Sequence, residues 1–458
     1  MNYEKRCIKA MLSLLLAASV VIPSGMTVLA ENFKKASRVN YQVAPAYSVT
    51  IPPGVALSGT QETVSSPITA EDIRIGPDEE LLVTLSGASN TPSGSTFHAK
   101  TADGYSTATY TIKAGDKQIS VGEQVASFKS NGSQAMTFSK AEGNRFAGEH
   151  SEILTFTISV SDPSINITGV TGEVVAKNGD IITGTGNEDT HIKVENGATI
   201  TLRDFNNTQI SDDDSHSWAG ITLEGDATII LRGKNEIKGG NSYYPGIYVP
   251  MNNNLIIKGA GTLNAASNGN GAGIGAGNEI NCGNIEIDLD EKGEITATGG
   301  SNSAGIGAGK QSSCGDIKIK GGTVNAVGGE NGSGIGTACN GSICGYVKIS
   351  GGIVSATGGK NGLGIGACTD GKIRDIIISG GNVTAIGKDA SSGIGALTSS
   401  YCGDIMINDT VDKVYVERGN NFGYSIYLHG FSNEKLMVGG NQMDNIVKSP
   451  FVYEPNKA

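Results

Sequence analysis

At 458 residues the chain exceeds what one ordinary hydrophobic core holds and suits two or three domains. Its 67 glycines are roughly twice the usual share, with aromatic residues at 5% and charged residues at 17%. Because the glycines accompany a regular Val/Ile pattern, this composition points to a solenoid and not to a flexible linker. The formal charge of −11 repels nucleic acid and anionic membrane and favours neutral ligands or ligands bridged by cations, so no nucleic-acid partner is expected.

The chain opens with Lys5, Arg6 and Lys9, then an apolar run from Ala10 to Ile22, then Val28-Leu29-Ala30 before Glu31. This is the pattern of a secretory signal over residues 1–30. The run is too short for a membrane anchor and is broken by Pro23-Ser24-Gly25. Cys7 lies ahead of the run, so it is not placed for lipid attachment at a new N-terminus. Losing three basic residues and Glu4 takes the charge from −11 to −13. No second run reaches spanning length, and the end, Phe451 to Ala458, carries neither a sortase-type signal nor a hydrophobic tail. The expectation is a secreted or cell-surface protein, attached non-covalently, with no membrane span.

Residues 31–161 show strand-like alternation at Tyr47–Ile51, Leu81–Leu85, Ala108–Ile112 and Ile153–Ile158. Pro52-Pro53-Gly54 and Pro92-Ser93-Gly94 punctuate them as turns. Short strands over about 130 residues predict an antiparallel β-sandwich. The stretches Tyr47–Gly54 and Ala147–Glu152 resemble the immunoglobulin-like domains of Gram-positive surface and pilus-type proteins. Asp162-Pro163-Ser164 is the expected hinge.

From about residue 162 to 410 a period of about thirty residues takes over. Each unit reads as a strand, a Gly-Gly corner, a second strand, a loop and a Gly-Ile-Gly strand. The last is centred on Ile274, Ile306, Ile335, Ile365 and Ile394, with looser copies at Ile221 and Ile247. Alternation in the second strands turns Ile295/Ala297, Val324/Ala326 and Val354/Ala356 inward and Thr296, Asn325, Ser355 and Thr384 outward. A lone unit cannot bury its apolar face, whereas stacked coils make one core. The prediction is a right-handed parallel β-helix of about eight coils and three short sheets, ~40 Å long at the strand spacing. A β-propeller is the alternative, but a blade needs four strands and thirty residues leave room for three. Residues 411–458 lose the period and gain Tyr415, Phe422, Tyr424, Tyr427 and Phe451, as expected of a cap on the last coil.

The Gly-Ile-Gly runs lack the spacing and the following helix of a phosphate loop. With Ile inward, the flanking glycines are expected to face outward as a strip of bare backbone. Two readings stand: the glycines supply positive φ at corners, or another rod, a loop or a polymer lies against the strip, giving lateral self-association. Six cysteines follow the leader, and Cys282, Cys314, Cys344 and Cys402 fall in one column with Ile373 in the intervening coil. In-register neighbours about 5 Å apart fit either disulfides or a buried thiol ladder, and six cysteines allow fifteen pairings. No CxxC-type metal spacing occurs.

Catalytic signals are sparse. His98, His150, His191, His216 and His429 are scattered, and neither Gly-x-Ser-x-Gly nor HExxH is present. The densest acidic cluster, Asp212-Asp213-Asp214 before Ser215, His216, Ser217 and Trp218, offers oxygen ligands for calcium or a solvated loop. Asp316, Asp375 and Asp404 share a column expected to cap turns. Arg232 and Lys234 are the basic pair nearest the acidic loop, the residues a polysaccharide lyase would draw on. Trp218, Tyr243 and Tyr244 sit in neighbouring loops where aromatic faces stack on sugar rings or pack locally. The outward column Asn264, Thr296, Asn325, Ser355 and Thr384 is short, polar and flat, which suits a glycan chain.

The stretches Asn196–Leu202, Gly259–Ala265 and Gly271–Gly277, with the repeated Ile/Val-x-Ala-Thr-Gly-Gly, resemble the secreted β-helix proteins of anaerobic Gram-positive and gut bacteria described as containing a carbohydrate-binding domain. The resemblance spans about 190 to 410, and the cysteine column departs from it. It implies a non-enzymatic secreted or surface protein that binds polysaccharide or cell-surface glycan, or acts as an adhesin. A β-helix lyase or hydrolase of acidic glycans and a structural envelope component are the alternative expectations.

Overall fold

The computed structural model describes residues 46–57, 62–76, 78–143, 148–241, 243–397, 399–421, 423–428 and 434–455. The secretory signal, Phe422 and His429 lie outside the described residues. The chain divides into two compact units, Met1–Val160 and Ser161–Ala458. Among the described residues the secondary structure is all β, with no helix.

In the first unit, Ala46–Thr50, Thr63–Arg74, Gly132–Ser139, Ile112–Ala114 and Lys117–Gln118 form one antiparallel sheet, and Leu154–Ser161, Glu80–Ala88 and Gln124–Phe128 a second. Period-two alternation drives their packing. Leu81, Val83 and Leu85 are fully buried on one face of their strand, and Ile68, Met136, Phe138 and Ile112 meet them from the other sheet in a single core. A hairpin of Phe97–Lys100 and Thr107–Tyr110 adds a stacked Phe97–Tyr110 ring pair at 5.5 Å.

The second unit is a parallel β-solenoid. Its second strands pair in register: Leu263↔Ile295↔Val324↔Val354↔Val383, with Ala265↔Ala297↔Ala326↔Ala356↔Ala385 two residues on. All ten side chains are buried and belong to one continuous core, so each coil completes the apolar environment of the next. First and second strands share one sheet, because Val347–Thr357 and Ile376–Ile386 run unbroken through their Gly-Gly corners. The Gly-Ile-Gly rungs form a second sheet, which extends from Glu173–Ala176 to Tyr424–Tyr427 beyond the copies visible by period. A narrow third ladder joins Ser313–Cys314, Ile343–Cys344, Lys372–Ile373 and Tyr401–Cys402. The three sheets thus differ from the expected partition, since two segments merge and the cysteine column supplies its own. At the C-terminal end, Phe451–Tyr453 and Ile446–Lys448 pair antiparallel on the last coil and close its open edges.

The expected strip of exposed glycine is corrected by the structure. Ile274, Ile306, Ile335, Ile365 and Ile394 are buried, and so are the glycines on both sides of each. The second glycine of every rung has φ between +129° and +148°, a region side chains rarely enter. A Cβ on Gly307 would lie 2.2 Å from the Gly336 carbonyl oxygen, and one on Gly305 would lie 2.7 Å from the Val327 nitrogen. Ala304 N–H donates to the Ala308 carbonyl across the rung and draws the chain into a tight loop (3.0 Å). The glycines permit close approach of coil to coil, and side-by-side assembly through them has no accessible surface to use.

Candidate functional site

The outward column is built by the same alternation that fills the core. Asn264, Thr296, Asn325, Ser355 and Thr384 pair as direct neighbours, one per coil, and the register extends to Asn206 and Glu236 before them and Tyr415 after. Asn264 is exposed and the four that follow are half-buried by their neighbours. Strand spacing sets donors and acceptors about 4.8 Å apart along the solenoid axis. Asn325 Nδ2 donates to Glu294 Oε1 (3.1 Å) of the preceding coil. Period alone gave the middle of this column; Asn206, Glu236 and Tyr415 lie in coils whose sequences depart from the repeat.

A second ladder went unseen in the sequence. Asn302 Nδ2 donates to Asn270 Oδ1 (2.7 Å), Asn331 Nδ2 to Asn302 Oδ1 (2.7 Å) and Asn361 Nδ2 to Asn331 Oδ1 (2.8 Å). The spacing 32, 29, 30 residues follows the repeat and was the available signal. The acidic column behaves as turn caps: Tyr346 N–H donates to Asp316, Asp404 N–H to Asp375 and Lys435 N–H to Asp404, all at 2.8–3.0 Å.

In the early coils the structure gathers residues that the sequence left scattered. His216 Nδ1 meets Asp213 Oδ1 at 2.6 Å and its Nε2 meets Asp189 Oδ1 at 3.2 Å, so one imidazole bridges two loops. The bond to Asp213 first, then Asp189, holds the His216 pKa above its ordinary value, while Ser215 and then His216 hold the Asp213 carboxyl low. Trp218 lies against His216 (5.1 Å, edge-on) and His191 (4.7 Å). His191 Nε2 and Lys193 Nζ both meet Glu173 Oε2, at 3.2 and 2.7 Å. Trp218 Nε1 and His191 Nδ1 are buried without a hydrogen-bond partner.

Gly240 N–H donates to the Trp218 carbonyl (2.9 Å) and Asn241 Nδ2 to Ser217 Oγ (2.9 Å), which sets the loop of Tyr243 and Tyr244 beside that of Trp218. Tyr243 is 47% exposed and Tyr244 half-buried. Asp212, Asp213 and Asp214 are exposed, and Asp213 spends its carboxylate on Ser215 and His216. Among the described residues no group of three or more His, Cys, Asp or Glu side chains is arranged to hold a metal ion. Lys234 Nζ pairs with Glu236 Oε1 at 2.5 Å.

The cysteine column is present, with Cys314↔Cys344↔Ile373↔Cys402 in register, and all six cysteines in the described residues are free thiols and buried. Ile373 fills the intervening coil, fully packed.

Continuous parallel ladders, a single aliphatic core and a capped C-terminal end define a parallel β-helix repeat protein. The chain is similar to the beta helix repeat family, whose model matches residues 292–310, 317–339 and 376–396, within the coils that carry the outward column. No curated protein and no solved structure matches the chain. No helix among the described residues is long and apolar enough to cross a membrane.

Proposed function

We propose that this is an exported, non-catalytic surface protein whose β-helix binds carbohydrate along the column from Asn264 to Thr384. The observation that carries the reading is the in-register run of small amide and hydroxyl side chains on a face the core does not need. Short side chains with one or two rotatable torsions lose little entropy on ligand binding, and an extended glycan presents hydroxyls along its length. Trp218, Tyr243 and Tyr244 form a second contact region in the early coils.

The test is a glycan array and affinity electrophoresis on plant and bacterial polysaccharides, with calcium and with chelator. Wild type is compared with Thr296→Val/Asn325→Val. Two lost hydrogen bonds at about 1 kcal/mol each weaken binding by ~30-fold. Equal retention by wild type and variant removes the column as the site. Release of unsaturated or reducing sugar would replace binding by lyase or hydrolase chemistry.

A further inference from the structure

The six buried cysteines occupy two environments. Cys282, Cys314, Cys344 and Cys402 belong to the main aliphatic core. The thiols of Cys314 and Cys344 donate to the Gly283 and Gly315 carbonyls at 3.6 and 3.8 Å. Cys339 and Cys368 lie outside that core, in a small separate cluster with Leu363 and Leu397. They follow the Gly-Ile-Gly rungs of successive coils. Asn340 N–H donates to the Thr369 carbonyl at 3.1 Å, which sets the residues just before them side by side. The two thiols thus sit together in this small cluster and interact with each other. Thr337 Oγ1 accepts the Cys368 N–H at 2.9 Å, and Ser333 Oγ lies 3.3 Å from Cys368 Sγ, so Cys368 is held in place.

We propose that Cys339 and Cys368 form a redox-active dithiol that closes into a disulfide between adjacent coils by exchange with a low-molecular-weight disulfide. Cys339 is 7% exposed and Cys368 is fully buried, which sets the order of events. The Cys339 thiolate attacks one sulfur of the reagent, forms a mixed disulfide and releases one thiolate. Cys368 then passes its proton to that thiolate and attacks Cys339 Sγ, and the reagent's second sulfur leaves as the thiolate. Two protein thiols lose two electrons, and the reagent is recovered as two thiols. The neighbouring Cys368 thiol lowers the Cys339 pKa and so favours its attacking form, whereas the thiols of Cys314, Cys344 and Cys402 are pushed upward.

The full chain, reduced and then freed of reductant, is incubated with oxidised glutathione, alkylated, digested without reduction and analysed by mass spectrometry. The expected product is a Cys339–Cys368 cross-linked peptide, with Cys282, Cys314, Cys344 and Cys402 alkylated only after denaturation. Cys368→Ser traps glutathione on Cys339, and Cys339→Ser abolishes both adduct and cross-link; circular dichroism confirms that each variant is folded. A first adduct on a column cysteine, or a folded Cys368→Ser protein with no adduct on Cys339, overturns the proposal.

Discussion

The rung glycines give the sharpest test of how the coils are held together. Gly307 has φ +132°, and an added Cβ would lie 2.2 Å from the Gly336 carbonyl oxygen. Alanine there incurs backbone strain of about 1–3 kcal/mol. The rungs must also part, which breaks the bond from Ala308 N–H to Gly336 (2.9 Å) and weakens the one next to it, at about 1 kcal/mol each. Together these give about 3–5 kcal/mol. Gly341 is the control: its φ is also positive, +84°, but nothing lies within 4 Å of its Cβ position. Gly341→Ala therefore carries strain alone, about 1–2 kcal/mol. Urea unfolding followed by far-ultraviolet circular dichroism separates the two through their midpoints at a common slope. Equal midpoints for Gly307→Ala and Gly341→Ala would show that coil-to-coil crowding is not what demands glycine, and the account of the buried rungs fails.

Three further outcomes are expected. Protonated His216 between Asp213 and Asp189 stabilises the early coils fully below the ordinary histidine pKa, and this contribution is lost as pH rises through the raised folded value. The Asp213 contribution has the opposite sense, present above the usual carboxyl value and lost as pH falls through the lowered one. Melting temperature of wild type minus His216→Gln, measured from pH 5 to 9, should fall with pH; a flat difference refutes the clasp. In the first unit Glu152 accepts from Asn90 N–H, Thr91 Oγ1, His98 N–H and Tyr110 OH at 2.8–3.1 Å, so Glu152→Ala strands buried donors and costs about 3 kcal/mol, read by urea unfolding. Asn331→Ala removes two ladder bonds and costs about 1–2 kcal/mol by the same assay, whereas a cost near zero leaves the asparagine ladder without energetic weight.

What was legible in the sequence follows from which forces act within one period. Inward Val324/Ala326 and outward Asn325 are fixed by strand alternation, and the thirty-residue period supplied their partners, so column and register were readable together. The cysteine column, with Ile373 in its gap, was readable for the same reason. The exposed glycine strip fails because alternation describes extended strands, while bonds from Ala272 to Ala276, Ala304 to Ala308 and Ser333 to Thr337 draw the Ile274, Ile306 and Ile335 rungs into loops. Burial there depends on the next coil's approach, which no local pattern encodes. The partner of His216 lies 27 residues away in a coil that departs from the repeat, so the Asp212–Asp214 cluster showed only its own oxygens and not the bridge to Asp189. Cys339 and Cys368 are two of the six cysteines whose fifteen pairings the sequence leaves open, and their pairing is hidden because Cys339 falls four residues after its rung isoleucine and Cys368 three.

The functional reading rests on a separation that the fold itself enforces. Every second residue of the repeat strands is committed to the core, where Ile, Val and Ala recur because each coil must match the one beneath. The residues between them carry no such constraint, and packing would accept charged, branched or aromatic side chains there equally well. Charges do appear on the flanking column, at Glu294 and Lys413, and a 59% exposed isoleucine at Ile353. Between them the central column keeps to Asn, Thr, Asn, Ser and Thr over five coils. A surface chosen only for solubility would mix charges along all columns alike. Over the five coils between Glu236 and Tyr415 of the same column, the short, uncharged hydrogen-bonding groups are those the proposed polyhydroxyl ligand would contact, which is why the binding test targets Thr296 and Asn325 first.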